Sequence, residues 1–209
     1  MLKFSQIKDI GSPDFKAALD IYAEAFPANE RHPLNIIKDR VKKGLNIAYV
    51  GRLNNKVVFM ALLWPLKNTK FVLLDYMATS SRQRGKNIGS QFMQEMRDSL
   101  EKDGKHFIME IENPEFGDNR EEREKRVAFY RKNGAKALKS VRYILPALQR
   151  SKPTEMILMI FPPYKDEKIG VSVVKKLITQ IYKELYNRSA KDIFKYTPLF
   201  ATNSKIETV

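Results

Sequence analysis

Between residues 80 and 90 the chain reads Ser80-Ser81-Arg82-Gln83-Arg84-Gly85-Lys86-Asn87-Ile88-Gly89-Ser90. Gly85 and Gly89 carry no side chain that would hold an anion away from the backbone. Arg82, Arg84 and Lys86 add positive charge. The apolar spacing that follows predicts a helix, whose first amides point outward unpaired and whose dipole favours negative charge. The chemistry is anion binding, and a pyrophosphate fits it. The same residues also suit a plain glycine-containing turn with a basic, solvated rim. The stretch is neither the GxxxxGK[ST] loop nor the GxGxxG dinucleotide fingerprint. Further along, period-two alternation puts Glu110 and Glu112 on one face of a predicted strand, about 7 Å apart. Asp75 shares a strand face with Met77 and Thr79. Each carboxylate also reads as a solvated or ion-paired group.

The elements that must position these residues follow from the hydrophobic pattern. Residues near 2–9 read as a first strand. Phe15, Ala18, Leu19, Tyr22, Ala25 and Phe26 share one face of a predicted helix over Pro13–Phe26, and Pro27 ends it. A short helix is expected from about Leu34 to Lys43, stopped by Gly44. Strands are expected over Asn46–Arg52, Lys56–Leu66 and Lys70–Thr79. Asn54-Asn55 suits a tight hairpin turn between the first two, and the apolar run Phe71–Leu74 suits a strand buried on both faces. Asn87–Asp103 reads as a helix with Ile88, Phe92, Met93, Met96 and Leu100 as its buried stripe. His106–Asn113 is the next strand, and Glu121–Lys132 a charged helix ended by Asn133-Gly134. Strands near 136–144 and 154–162 follow. Beyond the Pro162-Pro163 boundary, Val173, Val174, Leu177, Ile178, Ile181, Tyr182 and Leu185 form another helical stripe. It is expected to pack on its own domain, because an exposed apolar stripe is a liability. Residues after about 195 read as a loosely held tail.

Composition narrows the classes. Apolar residues are 43% and charged residues 30% of 209, which supports a packed core rather than disorder. There is no cysteine, hence no disulfide framework and no thiolate. The only histidines are His32 and His106, without HExxH spacing, so no metal site is expected. No signal-peptide pattern and no apolar run of membrane-span length is visible, so a cytoplasmic protein is expected. The net charge of +14 suits a polyanionic ligand, and equally suits mere solubility.

Tyr76-Met77-Ala78-Thr79 followed by Arg84–Ser90 resembles motif A of the GNAT superfamily of N-acetyltransferases, commonly written [RQ]-x-x-G-x-[GA]. Arg84 matches the first position and Gly89 the last. Asn87 stands where the middle glycine is usual, and asparagine adopts the left-handed angles glycine adopts. A second block, Glu110-Ile111-Glu112-Asn113-Pro114 and then Arg126–Gly134, resembles the family's later strand and helix. Tyr130 and Gly134 match there, whereas Ala135 replaces a phenylalanine. Phe26–Arg31 resembles the entry region of some members. The resemblance covers roughly residues 1–163, an acetyltransferase-like domain, with 164–209 as a helical extension.

The resemblance implies an α/β (α+β) fold, with a mixed, mostly antiparallel sheet of about six or seven strands flanked by helices. It implies acetyl-CoA as cosubstrate and a primary amine, small or peptidic, as acceptor. Arg84, Gly85, Lys86, Asn87, Ile88, Gly89 and Ser90 would hold the pyrophosphate, and the backbone of Met77, Ala78 and Thr79 the pantetheine arm, with one amide polarising the thioester carbonyl. The motif A strand and the Glu110 strand would lie parallel and splay apart. A base for the amine would come from Asp75, Glu110 or Glu112, with Glu112 first by its position late on the strand. Tyr130 would be the acid for the departing thiolate, and Glu30 and Arg31 would touch the acceptor. A homodimer is compatible with these features. Two other readings stay open: a basic nucleic-acid- or ribosome-associated protein, with Tyr182, Tyr186 and Tyr196 amid Lys183, Lys191 and Lys195, though no RNA-binding motif is present; and a CoA-binding sensor without catalysis.

Overall fold

A computed structural model describes residues 1–28, 31–147, 153–165, 167–189 and 205–209. They fall into two compact units, one built on residues 1–65 and 72–99, the other on 66–71, 100–147 and the described residues from 153 onward.

The first unit contains β1 (Leu2–Gln6), α1 (Pro13–Ala25), α2 (Leu34–Lys42), β2 (Ile47–Leu53), β3 (Lys56–Pro65), nearly all of β4 (Phe71–Thr79) and most of α3 (Ile88–Lys102). β1 to β4 pair in sequence order, each antiparallel to the next. Asn54 (φ 49°) and Asn55 (φ 61°) turn the β2–β3 hairpin in the left-handed region that asparagine tolerates. Ser12 caps α1 by accepting the Phe15 amide proton at 3.3 Å, and Pro13 follows at the first turn, where no amide is needed. α1 buries Phe15, Ala18, Leu19 and Tyr22 against Val50, Met60, Leu62 and Tyr76. Each such large side chain contributes about 1.5–3 kcal/mol on leaving water. The longest unbroken buried run is Val58–Trp64 on β3 rather than Phe71–Leu74 on β4, where Val72 is half-exposed.

The second unit contains β5 (His106–Glu112), α4 (Arg120–Lys132), β6 (Lys136–Ala137), β7 (Tyr143–Leu145), β8 (Thr154–Phe161), β9 (Lys168–Gly170), α5 (Val171–Leu185) and β10 (Lys205–Glu207). β5, β6 and β7 all pair antiparallel with β8. The two units thus hold four mostly antiparallel strands each, flanked by helices, together with a separate β9–β10 pair. This is the α/β class expected from the sequence. The expected strand near 136–144 is two short ones, because Ser140 at φ 59° interrupts the extended backbone. α5 buries Val174, Leu177, Ile178, Ile181, Tyr182 and Leu185, and only Val173 of the expected stripe is exposed. The stretch read as a loose tail lies outside the described residues up to 204. Its last residues are not loose, since β10 pairs with β9 in register Ile206↔Ile169. Among the described residues no helix is long and apolar enough to cross a membrane.

Candidate active site

β4 is held to β3 through Thr79, opposite Phe59, and the Ser80 amide donates to the Val58 carbonyl at 2.9 Å. A single 3-10 turn, Ser81–Gln83, then lifts the chain off the strand. Its first amide, Ser81, donates to Glu24 at 3.3 Å, and hydrogen bonding from Ser81 holds that carboxyl below its usual value. Gly85 (φ 78°) and Asn87 (φ 60°) are both left-handed, with Lys86 between them. A Cβ built on Gly85 would meet nothing within 4 Å, so the glycine serves the backbone turn and leaves open space above it. Ile88 is buried and anchors the start of α3. The first bond of the helical ladder runs from the Gln91 amide to the Asn87 carbonyl at 3.1 Å. The amides of Ile88, Gly89 and Ser90 precede it and have no place in that ladder. Exposed Arg82, Arg84 and Lys86 surround this helix start. Arg84 donates to the Thr79 carbonyl at 3.4 Å and Lys86 to the Gln83 side chain at 2.8 Å, and both cations keep further donors. Open amides, a missing side chain and three cations suit a pyrophosphate. Met77, Ala78 and Thr79 are half-buried and lie opposite Ala61, Met60 and Phe59.

Asp75 has a different setting. Leu62 faces Tyr76 and Leu63 faces Leu74, so Asp75 is the extra residue of a bulge in β4. Its side chain is only 6% exposed, with an Asn46 amide donating to it at 3.2 Å and the Arg40 guanidinium 4.0 Å away. Burial raises its pKa to about 6, against the opposing pull of Arg40 and Asn46. The next residue, Tyr76, packs edge-on against Tyr22 (4.8 Å) and Phe26 (4.9 Å). Tyr22 donates to the His32 carbonyl at 3.1 Å, and the His32 amide donates to the Tyr76 hydroxyl at 3.4 Å. Burial, then Arg40, depresses the His32 imidazole to about 4. Arg31 lies over the Tyr22 ring at 5.6 Å and donates to the Phe26 carbonyl at 2.9 Å; Glu30 is outside the described residues.

In the second unit Glu110 and Glu112 stand two residues apart on β5, yet meet opposite fates. Glu112 is paired with Arg123 at 3.3 Å and with Arg126 at closer range, which ties β5 to α4. Glu110 instead accepts a hydrogen bond from the Tyr143 hydroxyl on one oxygen and from the Tyr186 hydroxyl on the other, the latter at 2.7 Å. Burial, then the adjacent Glu110 charge, pushes the Tyr143 phenol well up. Tyr130 lies on α4 with its ring buried against Phe129 (5.1 Å). Burial pushes its phenol up to about 12, with Arg126 pulling the other way, so it is protonated at neutral pH. Among the described residues its hydroxyl has no hydrogen-bond partner, and it is not among the polar atoms sealed from solvent.

The first unit therefore gathers Met77–Thr79, Asp75 and Arg84–Ser90 along β4 and the start of α3. The second gathers Glu110, Glu112 and Tyr130. Tyr143 and Tyr186 are partners that sequence reading did not assign to Glu110, being 33 and 76 residues away with no periodicity linking them. Of the residues considered for RNA stacking, Tyr182 is fully buried and donates to the Ile144 carbonyl, Tyr186 donates to Glu110, and Tyr196, Lys191 and Lys195 are outside the described residues. Among the described residues no three His, Asp or Glu side chains cluster as a metal site would require.

The Acetyltransferase (GNAT) family model matches residues 15–135. No curated protein matches the sequence. Among solved structures, one described as a GNAT-family acetyltransferase from Bacteroides thetaiotaomicron superposes with TM-score 0.73 at 16% identity, over 90% of this chain and 99% of that one. A GNAT acetyltransferase from Elizabethkingia anophelis with acetyl-CoA bound gives 0.52 at 14%, over 76% and 96%. An aminoglycoside 6'-N-acetyltransferase complexed with coenzyme A gives 0.57 at 14%, over 76% and 95%.

Proposed function

Since the chain belongs to the GNAT acetyltransferase family, and is an acyltransferase that uses acetyl-CoA, we propose that it moves the acetyl group onto a primary amine, a small molecule or a peptide amine, by direct attack. The observation that carries this reading is the cradle at Arg84–Ser90, with left-handed Gly85 and Asn87 below three open helix amides. In this reading these residues hold the pyrophosphate and the backbone of Met77–Thr79 holds the pantetheine arm.

The acceptor arrives as an ammonium, whose reference pKa is about 10.4. Glu110, directly or through a water, takes one proton and frees the nitrogen lone pair. The nitrogen bonds to the thioester carbonyl carbon, the carbon–sulfur bond breaks, and its electron pair leaves on sulfur. Tyr130 gives that sulfur its proton and recovers one as the nitrogen sheds its second. The net yield is amide, thiol and one proton to solvent. Glu110 replaces Glu112 as first choice because both oxygens of Glu112 face arginines of α4, whereas two phenols orient Glu110. Asp75 is enclosed between Arg40 and Asn46, and it serves the fold of β4 in this reading.

Tyr130→Phe tests the mechanism. Thiol release across a panel of amines (spermidine, kanamycin, an alanine-initiated peptide) should fall about 100-fold or more, while the thermal shift produced by acetyl-CoA is retained. Unchanged turnover with intact binding would remove Tyr130 from the mechanism.

A further inference from the structure

The Glu110 carboxylate lies within the family-matched segment, 15–135, but both phenols that hold it lie outside. Tyr143 comes from β7. Tyr186 is the residue that closes α5, and it projects from a helix whose six buried side chains fix it in the second unit. Tyr182, one turn earlier, packs edge-on against both rings (5.8 Å to Tyr143, 6.2 Å to Tyr186), and its hydroxyl donates to the Ile144 carbonyl beside Tyr143. Three tyrosines on two elements thus form one rigid block, and two of their hydroxyls meet on the two oxygens of a single carboxylate.

We propose that Tyr143 and Tyr186 are positioning residues for Glu110, so that the segment beyond residue 163 is a working part of the acetyl-transfer apparatus rather than an appendage. The inference rests on Glu110 acting as the proton acceptor. A glutamate on a strand has three side-chain torsions to fix, and one donor on each oxygen fixes the last of them. A reacting group must be held within a fraction of an ångström, which calls for a rigid supporting block of this kind.

The test is a double-variant cycle on the full chain, following thiol release from acetyl-CoA with the same amine panel and with water alone. Glu110→Gln should lower kcat by about 100-fold or more. Tyr186→Phe and Tyr143→Phe, which keep the ring and remove only the hydroxyl, should each lower kcat by about tenfold, with the KM for acetyl-CoA unchanged. Because the phenols act through Glu110, Tyr186→Phe added to Glu110→Gln should cost nothing further. A purely structural role would instead lower the melting temperature and subtract equally in both backgrounds. If Glu110→Gln is impaired while both phenylalanine variants turn over normally, the positioning role falls and the base reading stands. If Glu110→Gln turns over normally, the base reading falls and takes this inference with it. A wild-type protein that binds acetyl-CoA but releases no thiol with any amine or with water overturns both.

Discussion

In the proposed reading, the loop at Arg84–Ser90 and the clamp around Glu110 solve similar problems by opposite means. The loop presents backbone: open amides, a left-handed glycine and a left-handed asparagine, all within seven consecutive residues. The clamp presents side chains, drawn from β5, β7 and the end of α5. A backbone site tolerates side-chain exchange but not a change of dihedral preference. A side-chain site behaves in reverse, and loses its function to the removal of a single oxygen.

Asp75 sharpens the contrast most, because it is a carboxylate buried without phenols. Burial there dominates and lifts the pKa to about 6. Its extra proton affinity favours the folded state in full below the ordinary carboxylate value, and that contribution is lost as pH rises through about 6. Asp75→Asn does not suffer this loss. Measured by urea unfolding, the stability of the variant relative to wild type should therefore improve by on the order of 2–3 kcal/mol between pH 4 and pH 7. A constant difference across that range would mean that Arg40 and Asn46 fully offset burial.

The next effect belongs to the loop. Asn87→Val places a β-branched residue at φ 60°, which should cost roughly 1–2 kcal/mol and weaken acetyl-CoA binding about tenfold, whereas Asn87→Gly should leave binding unchanged or tighter. A collapse with glycine would show that the asparagine side chain itself contacts the ligand, and the loop would no longer be a backbone site. The smallest effect is expected at Arg84→Ala and Lys86→Ala. Both cations are exposed and screened, so each should weaken binding only about threefold at physiological salt, with the difference shrinking as salt rises. A loss as large as that of Asn87→Val would make the cations, not the amides, the principal hold on the phosphates.

What the sequence made legible follows the same division. α1, α3 and α5 announce themselves by stripes at helical spacing, and the β2–β3 hairpin by Asn54-Asn55, because these signals are local. The Arg84–Ser90 loop is legible for the same reason. β9 and β10 escaped notice because each is three residues long and finds its partner more than thirty residues away. Ser140 in the left-handed region has no signature distinguishing it from other serines, so β6 and β7 read as one strand. Glu110 and Glu112 are equivalent by alternation. Only tertiary neighbours, arginines for one and tyrosines for the other, separate them.

The β9–β10 pair has a mechanical consequence for α5. Gly170 ends β9 and caps α5, and Lys205 on β10 lies opposite that same glycine, so β10 buckles onto the start of α5. The buckle is riveted by buried Ile169 and Ile206, and stitched onward by Val209, which exchanges hydrogen bonds with Ala137 at 2.7 and 2.9 Å. A protease nick between Asn187 and Lys205 would leave two fragments that stay fastened. The amides of α5 should then keep their slow exchange until the buckle itself opens.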